Sequence, residues 1–166
     1  MNTSALFTIS YGLYALGVKT PDGKPSVCVV NAMMQVTAEP PCVCVCVNRN
    51  NYSNECIKNN GLFTVSVFSE EAEFMQIAPL GFKSGRDTDK LEGKNFTLDK
   101  DGLPVLSDNI CAWFKCKVIS ATETSTHTLF IAEVIDTCED IKGKPMTYEY
   151  YRTVIKGKAS KNASHS

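Results

Sequence analysis

PPCVCVCVN, Pro40 to Asn48, sets a cysteine at every second position three times in a row. Such a run is a metal clamp, a disulfide hub or a β-strand. Alternation with period two is the strand signal. It sends Cys42, Cys44 and Cys46 to one side and Val43, Val45 and Val47 to the other. Neither side is polar, so burial of both faces is expected, as in a central or barrel strand. Free cysteine behaves as a small buried hydrophobe. Same-face residues on a strand lie roughly 7 Å apart, too far for a relaxed disulfide. A tetrahedral zinc wants each sulfur at about 2.3 Å from the metal, which a straight strand does not offer. The stretch is therefore a strand, and the chemistry is sought in what flanks it.

The chain has 166 residues, enough for one domain with a real core. We expect a domain over 1–155 and a flexible, basic and polar tail over 156–166. Lys plus Arg number 17 and Asp plus Glu 18, a net charge of -1. That balance argues against a nucleic-acid partner, which calls for a basic surface. No stretch approaches the ~20 apolar residues of a membrane helix. No Lys or Arg precedes Lys19, so a secretory leader is not expected and the protein reads as cytoplasmic. The eight cysteines should then be thiols. None forms a C-x-x-C pair, and no metal site is expected.

Outward from the opening strand, the chain alternates between short strands and turns. A short helix is expected over Thr3 to Ile9, then strands over Leu13 to Thr20 and Ser26 to Met33, joined by Pro-Asp-Gly as a hairpin. Asn51 or Ser53 caps a short helix that ends near Asn59, with Gly61 just beyond it. Leu62 to Phe68 alternates and is a strand. Ser69 is placed as the cap of a helix with Glu70 and Glu71 in its first turn, closed by Pro79-Leu80-Gly81. Residues 81–103 are polar and Gly-punctuated, a long loop of the functional kind. Ile110 to Glu123 and His127 to Asp136 are longer strands. Six or seven strands with a few short helices suggest a closed or nearly closed antiparallel barrel.

Three stretches carry candidate chemistry. In CVCVN-RNNYS-NECIK, a strand runs through a polar loop into a helix start, which offers unpaired N–H groups to a phosphate. Arg49 adds a planar cationic fork, and Asn48, Asn50 and Ser53 add neutral donors. The bland alternative is a solvated loop with an ordinary cap. In VVNAMMQVTAEPP, Asn31, Gln35 and Thr37 interrupt an apolar run. Amides there can read the polar edge of a flat ring, and Met33 and Met34 can pack on its face; the alternative is an irregular strand with a bulge. In KSGRDTDK, Gly85 and Arg86 can approach an anion; the alternative is a mixed-charge surface loop. His127 and His165 are the two histidines, the latter in the tail. His127 stands at a strand start and can hold a proton near neutral pH. No Walker sequence, G-x-G-x-x-G or Ser-His-Asp spacing is present.

Taken in this order, VVNAMMQVTAEPPCVCVCVNRNNYSNECIKNNGLFTVSVFSEE, GFKSGRDTDKLEG and STHTLFIAEVID resemble the flavin reductase-like family of FMN-binding split barrels. The resemblance covers about residue 4 to residue 155. Within the class, YGLY, FKSGRDTDK and YYRTVIKGK look closest to the flavoprotein domain of high-molecular-weight rubredoxins. It implies a mainly β fold, a six-stranded antiparallel Greek-key split β-barrel with a few short helices, and a homodimer with FMN near the interface. Asn31, Ala32, Met33 and Gln35 would line the isoalloxazine, and Thr37 would approach the ribityl chain or phosphate. Asn48, Arg49, Asn50 and Ser53 would hold the phosphate. Ser84, Gly85 and Arg86 match the second loop near the flavin. Tyr148, Tyr150 and Tyr151 would cover it from the C-terminal segment. His127 matches the histidine of the family's Gly-Asp-His motif, near nicotinamide, although Ser125 and Thr126 replace Gly and Asp here. The activity implied is an FMN-dependent oxidoreductase that passes electrons from NAD(P)H to a protein or flavin acceptor. The change before His127 favours an alternative, a flavin-bound electron carrier reduced by a partner protein. A barrel holding another planar ligand is a third possibility. The absence of C-x-x-C pairs implies that any iron reached sits on another protein, such as a rubredoxin or a flavodiiron protein.

Overall fold

The computed structural model describes residues 1–158; His165 and most of the expected tail lie outside them. Seven strands form one antiparallel sheet in the order β2-β1-β5-β8-β9-β4-β3. Their ranges are β1 Tyr14–Lys19, β2 Pro25–Val30, β3 Met33–Ala38, β4 Pro41–Asn48, β5 Leu62–Phe68, β8 Ile110–Glu123 and β9 His127–Thr137. A separate hairpin pairs β6 Phe96–Leu98 with β7 Pro104–Leu106. Three helices accompany them: α1 Tyr52–Asn60, α2 Phe74–Phe82 and α3 Tyr148–Thr153. The N-terminal helix is a 3-10 turn over Thr3–Thr8.

β2 and β3 occupy opposite edges of the sheet, yet only Asn31 and Ala32 separate them in sequence. Two residues span at most about 10 Å between strand ends. The sheet must therefore curl until its edges meet, and Asn31–Ala32 is the seam of the resulting barrel. The expected single strand from Ser26 to Met33 is thus two strands. The family's six-stranded expectation becomes a seven-stranded sheet with a two-stranded hairpin beside it.

The alternation in β4 decides its inner face. Val43, Val45 and Val47 enter a cluster with Leu16, Val18, Phe63, Val65 and Phe130. Burying a side chain such as Phe63 or Phe130 contributes about 2–3 kcal/mol. The cysteine face is less covered than expected: Cys42 is buried, but Cys44 and Cys46 are only half-buried. They lie on the face of β4 opposite the core valines. All eight cysteines are free thiols. A second core cluster lies where α2, β7 and α3 pack on the sheet, with Phe68, Ile77, Leu80, Leu106, Tyr148 and Tyr151.

Three local expectations are corrected. Ser69 does not cap a helix. Its N–H donates to Asn109 O and that of Glu70 to Lys144 O, so long-range bonds hold the segment as a turn. The helix begins at Phe74 and runs through Pro79 to Phe82. A proline there leaves the carbonyl four residues back without its helical donor; that carbonyl, of Met75, accepts from Lys94 Nζ at 3.4 Å. The polar stretch of 81–103 is not one open loop, because Phe96–Leu98 pairs with Pro104–Leu106. Gly61 closes α1 as expected, at φ 67°.

The β6–β7 hairpin is pinned from β8 by Lys115, which is 1% exposed and pairs with Asp99 at 2.6 Å and with Asp101. Burial would raise the Asp99 carboxyl, but Lys115 and the N–H groups of Leu103 and Asp101 hold it below the usual carboxylate range. A lowered folded value means this contribution is complete above the ordinary carboxylate range and is lost as pH falls through the lowered value. Lys115→Met should therefore cost about 3 kcal/mol in urea unfolding at neutral pH. It should also flatten the loss of stability on acidification, measured by repeating the unfolding at lower pH.

Candidate functional site

The seam is the first element of the site. Asn31 is 5% exposed, and its carbonyl accepts from Met33 N at 3.0 Å. Its side-chain Nδ2 is buried without a hydrogen-bond partner. Ala32 O accepts from Cys46 N at 2.9 Å, which hangs the seam on β4 two residues before Asn48. Met33 pairs with Val45 and packs against the barrel core. Further along β3 the side chains are exposed: Gln35 Nε2 donates to Thr37 O at 3.1 Å and Thr37 Oγ1 to Pro40 O at 2.6 Å. Thr37 pairs with Cys42, roughly 20 Å along β4 from Asn48. Asn31, Ala32 and Met33 are thus brought toward the Asn48 end. Gln35 and Thr37 are carried away from it, and within one chain Thr37 does not join a phosphate group held at Asn48.

β4 passes into α1 through a tight turn. Asn48 Oδ1 accepts from Asn50 N at 2.9 Å, and Asn48 O accepts from Asn51 N at 3.0 Å. Asn54, buried in α1, fixes the junction: its Nδ2 donates to Val47 O and to Thr128 Oγ1, both at 2.9 Å. Asn51 is the N-cap residue but makes no side-chain cap bond; the Asn54 N–H donates to Asn51 O at 2.9 Å, which leaves the N–H groups of Tyr52 and Ser53 ahead of the helical ladder. Ser53 is 4% exposed, and its side chain lies near the Cys28 thiol of β2. Its side chain therefore faces the interior, and toward a ligand this position offers its backbone N–H. Arg49 and Asn50 are exposed. Arg49 donates from its backbone to Thr126 O at 2.9 Å and from Nη1 to Thr124 O at 3.3 Å. Its Nη2 lies 3.8 Å from the Glu123 carboxylate. Lys58 and, less strongly, Arg49 hold that carboxyl below its ordinary value.

The Ser84–Arg86 loop lies against the start of α1. The Arg86 guanidinium sits 4.3 Å over the Tyr52 ring and pairs with Glu55 at 2.6 Å, which holds it firmly protonated. Ser84 Oγ accepts from Arg86 N at 3.2 Å. Gly85 comes so close to β2 that a Cβ would fall 2.3 Å from Ser26 Oγ and would have to displace that hydroxyl. A groove of about 620 Å³ runs between this loop, Tyr52 and the β1–β2 turn. The loop is anchored by Lys90, whose Nζ donates to Val27 O at 2.9 Å and Leu80 O at 2.7 Å.

His127 is half-buried at the start of β9, directly opposite Asn48. Its Nδ1 is 2.8 Å from Thr126 Oγ1. Thr126, which replaces the family's acidic residue, thus orients the ring. The C-terminal tyrosines do not form an open cover. Tyr148 and Tyr151 are buried in the second core, with ring centroids 6.1 Å apart, and Tyr150 is half-buried. Sequence reasoning missed Tyr52, Asn54, Lys90 and Thr128. Their importance depends on long-range partners, which local spacing does not signal. Among the described residues no cluster of three or more His, Cys, Asp or Glu is placed to hold a metal.

One end of β4 therefore gathers a helix start, two arginines, a buried amide and a histidine. Such a set can hold an anionic group and read the polar edge of a flat ring. A family model described as the flavin reductase like domain matches residues 6–157. High molecular weight rubredoxin of Moorella thermoacetica is 37% identical over 163 residues, 98% of this chain and 71% of that protein. Ferric-chelate reductase (NAD(P)H) of Archaeoglobus fulgidus is 31% identical over 165 residues, 99% of this chain and 96% of that protein. Among solved structures, the flavin reductase of styrene monooxygenase from Pseudomonas putida S12 superposes with a TM-score of 0.73 at 28% identity, covering 87% of this chain and 89% of that one. These matches run over nearly the whole length, and the chain belongs to the flavin reductase like family.

Proposed function

We propose that this protein is an FMN-dependent oxidoreductase that takes electrons from NAD(P)H and passes them to a protein or flavin acceptor. The observation that carries this reading is the buried Asn31 amide with no partner for Nδ2. A buried donor left unbonded costs on the order of 1–3 kcal/mol. A flat ring with acceptor atoms on one edge, laid at the seam, would relieve that cost. The donor set suits the rest of FMN. The first turn of α1, with Arg49, Asn50 and Asn48 before it and Ser84, Gly85 and Arg86 beside it, offers N–H groups and two guanidinium forks to a phosphate. Met33 and the Ala32 backbone would border the ring.

When bound, FMN supplies the hydride-accepting and electron-passing chemistry. The chain's own residues bind, orient and shield. Asn31 would donate to the ring's polar edge and fix its rotation. Arg49 and Arg86 would release Glu123 and Glu55 in part as they take up the phosphate. His127, fixed opposite Asn48 and oriented by Thr126, is assigned to the nicotinamide side. The relatives named for NAD(P)H-dependent reduction support a nicotinamide donor. The relative named for rubredoxin supports an iron protein as an acceptor.

The protein's own surface supports a homodimer. On the outer side of β3, β4 and β9, Met34 pairs across to Cys44, and Cys44 to Ile131. Met34 is 64% exposed, and Val36, Ile119 and Ile135 are also exposed. Exposed apolar side chains on one side of a sheet would suit an interface. A second copy would cover the half-buried cysteines. Sedimentation should report a dimer, and Ile131→Lys should shift it to monomer; an unchanged dimer would place the interface elsewhere.

Two measurements test the redox assignment. Under anaerobic conditions the FMN-loaded protein should lose its flavin band on addition of NADH or NADPH. A band that survives both donors but bleaches with dithionite would make the protein a carrier reduced by a partner. Arg49→Ala should weaken FMN binding by about tenfold, the worth of one charge-assisted phosphate contact. Fluorescence titration with FMN reads this directly, and unchanged affinity would remove Arg49 from the site.

A further inference from the structure

Lys90 is the buried cation nearest the proposed site, and nothing so far accounts for its charge. It is 8% exposed, and its Nζ is tied to two neutral carbonyls, Val27 O on β2 and Leu80 O on α2. Among the described residues no carboxylate lies within ion-pair distance of it, in contrast to Lys115, which has two. Burying an uncompensated ammonium is costly, and a methionine would fill the same space without that cost. A compensating anion is therefore expected from outside the chain.

The packing indicates where that anion sits. Lys90 ends the loop that carries Ser84, Gly85 and Arg86. Its ammonium interacts with the Cys28 thiol, and that thiol lies near Ser53 in the first turn of α1. Gly85 contacts Ser26 and Tyr52, and Arg86 covers Tyr52. The charge thus lies beneath the junction between the arginine loop and the start of α1, screened from water by both.

We infer that Lys90 is a positioning residue whose buried charge favours a phosphate at the start of α1, while its two carbonyl bonds hold the Ser84–Arg86 loop in place. It acts through the field and through the loop, not by direct contact. The inference rests on the FMN reading above and deepens it. It implies that the site selects phosphorylated flavin over the same ring and ribityl chain without phosphate.

The test is the ratio of FMN affinity to riboflavin affinity, each titrated on the same sample so that any unfolded fraction cancels. The wild-type chain should prefer FMN. Lys90→Met should lower that preference by about tenfold, with riboflavin affinity little changed, and Lys90→Arg should restore part of it. A purely structural lysine would weaken both ligands alike, and an unchanged ratio in Lys90→Met overturns the inference. A wild-type chain with no preference for FMN overturns the phosphate site itself, a separate failure. If neither variant folds, the wild-type ratio followed from about pH 7 to about pH 10 decides. Around Lys90, burial pushes the thiol of Cys28 on β2 upward and that of Cys56 on α1 to about 11. Glu55 and Arg86 pair on α1 and the loop, Asp87 and Asp89 follow on that loop, and α2 presents the Leu80 carbonyl. The preference should decline as Lys90 loses its proton, and a flat profile overturns the inference.

Discussion

The two-residue link between β2 and β3 is the constraint on which the molecule depends. Those strands lie at opposite edges of a seven-stranded sheet, so Asn31 and Ala32 can join them only if the sheet closes on itself. Closure decides which faces are inside. It turns Val43, Val45 and Val47 into the barrel and leaves Cys44 and Cys46 on the outer surface. It also puts a buried amide at the link between the two edge strands, outside the ladder. The seam is thus where neighbouring backbone is least able to satisfy a polar side chain, and where an external ligand gains most by doing so.

The rest of the site follows from how β4 ends. Its last residue, Asn48, has His127 on one side and the start of α1 on the other. Asn54 binds both β4 and β9, so the turn between strand and helix has little freedom. The proposed anion site would be preorganised by such a junction, since its N–H groups would not need to reorient to meet a ligand. Arg49 and Arg86 reach it from different elements, the β4–α1 turn and the loop after α2. Each rests on a carboxylate, Glu123 and Glu55. A phosphate must compete with those partners, but both pairs are exposed, and exposed pairs hold weakly.

What the sequence disclosed and what it concealed divide along a physical line. Features set by a few neighbouring residues were legible: the alternation of CVCVCV, the strand LFTVSVF, and α1 with Gly61 just past its end. The helix start after Asn48 was legible for the same reason, as a turn followed by α1. Features settled by distant partners were not. VVNAMMQV has no Gly or Pro to mark the break at Asn31, because the break is imposed by barrel closure. Ser69, Glu70 and Glu71 carry a good local helix start, but Asn109 and Lys144 claim their backbone donors. Pro79 read as a stop, yet Lys94 satisfies the carbonyl it frees. In the candidate site, the burial of Ser53 and the distance of Thr37 from Asn48 could not be read from the sequence.

The two buried lysines show how much a residue type leaves open. Both were unremarkable positions in polar or strand segments. Lys115 meets Asp99 and Asp101, and its charge is compensated within the chain; it fixes a hairpin. Lys90 meets only carbonyl oxygens and a thiol. Carbonyl dipoles lower the cost of an ammonium without cancelling its charge, so the field of Lys90 extends beyond its own contacts in a way that of Lys115 does not. A fold that needed only an anchor at this point had neutral side chains available. That a charge stands there, under the junction of two elements rich in N–H donors, is explained if the fold is completed by an anion it does not itself contain.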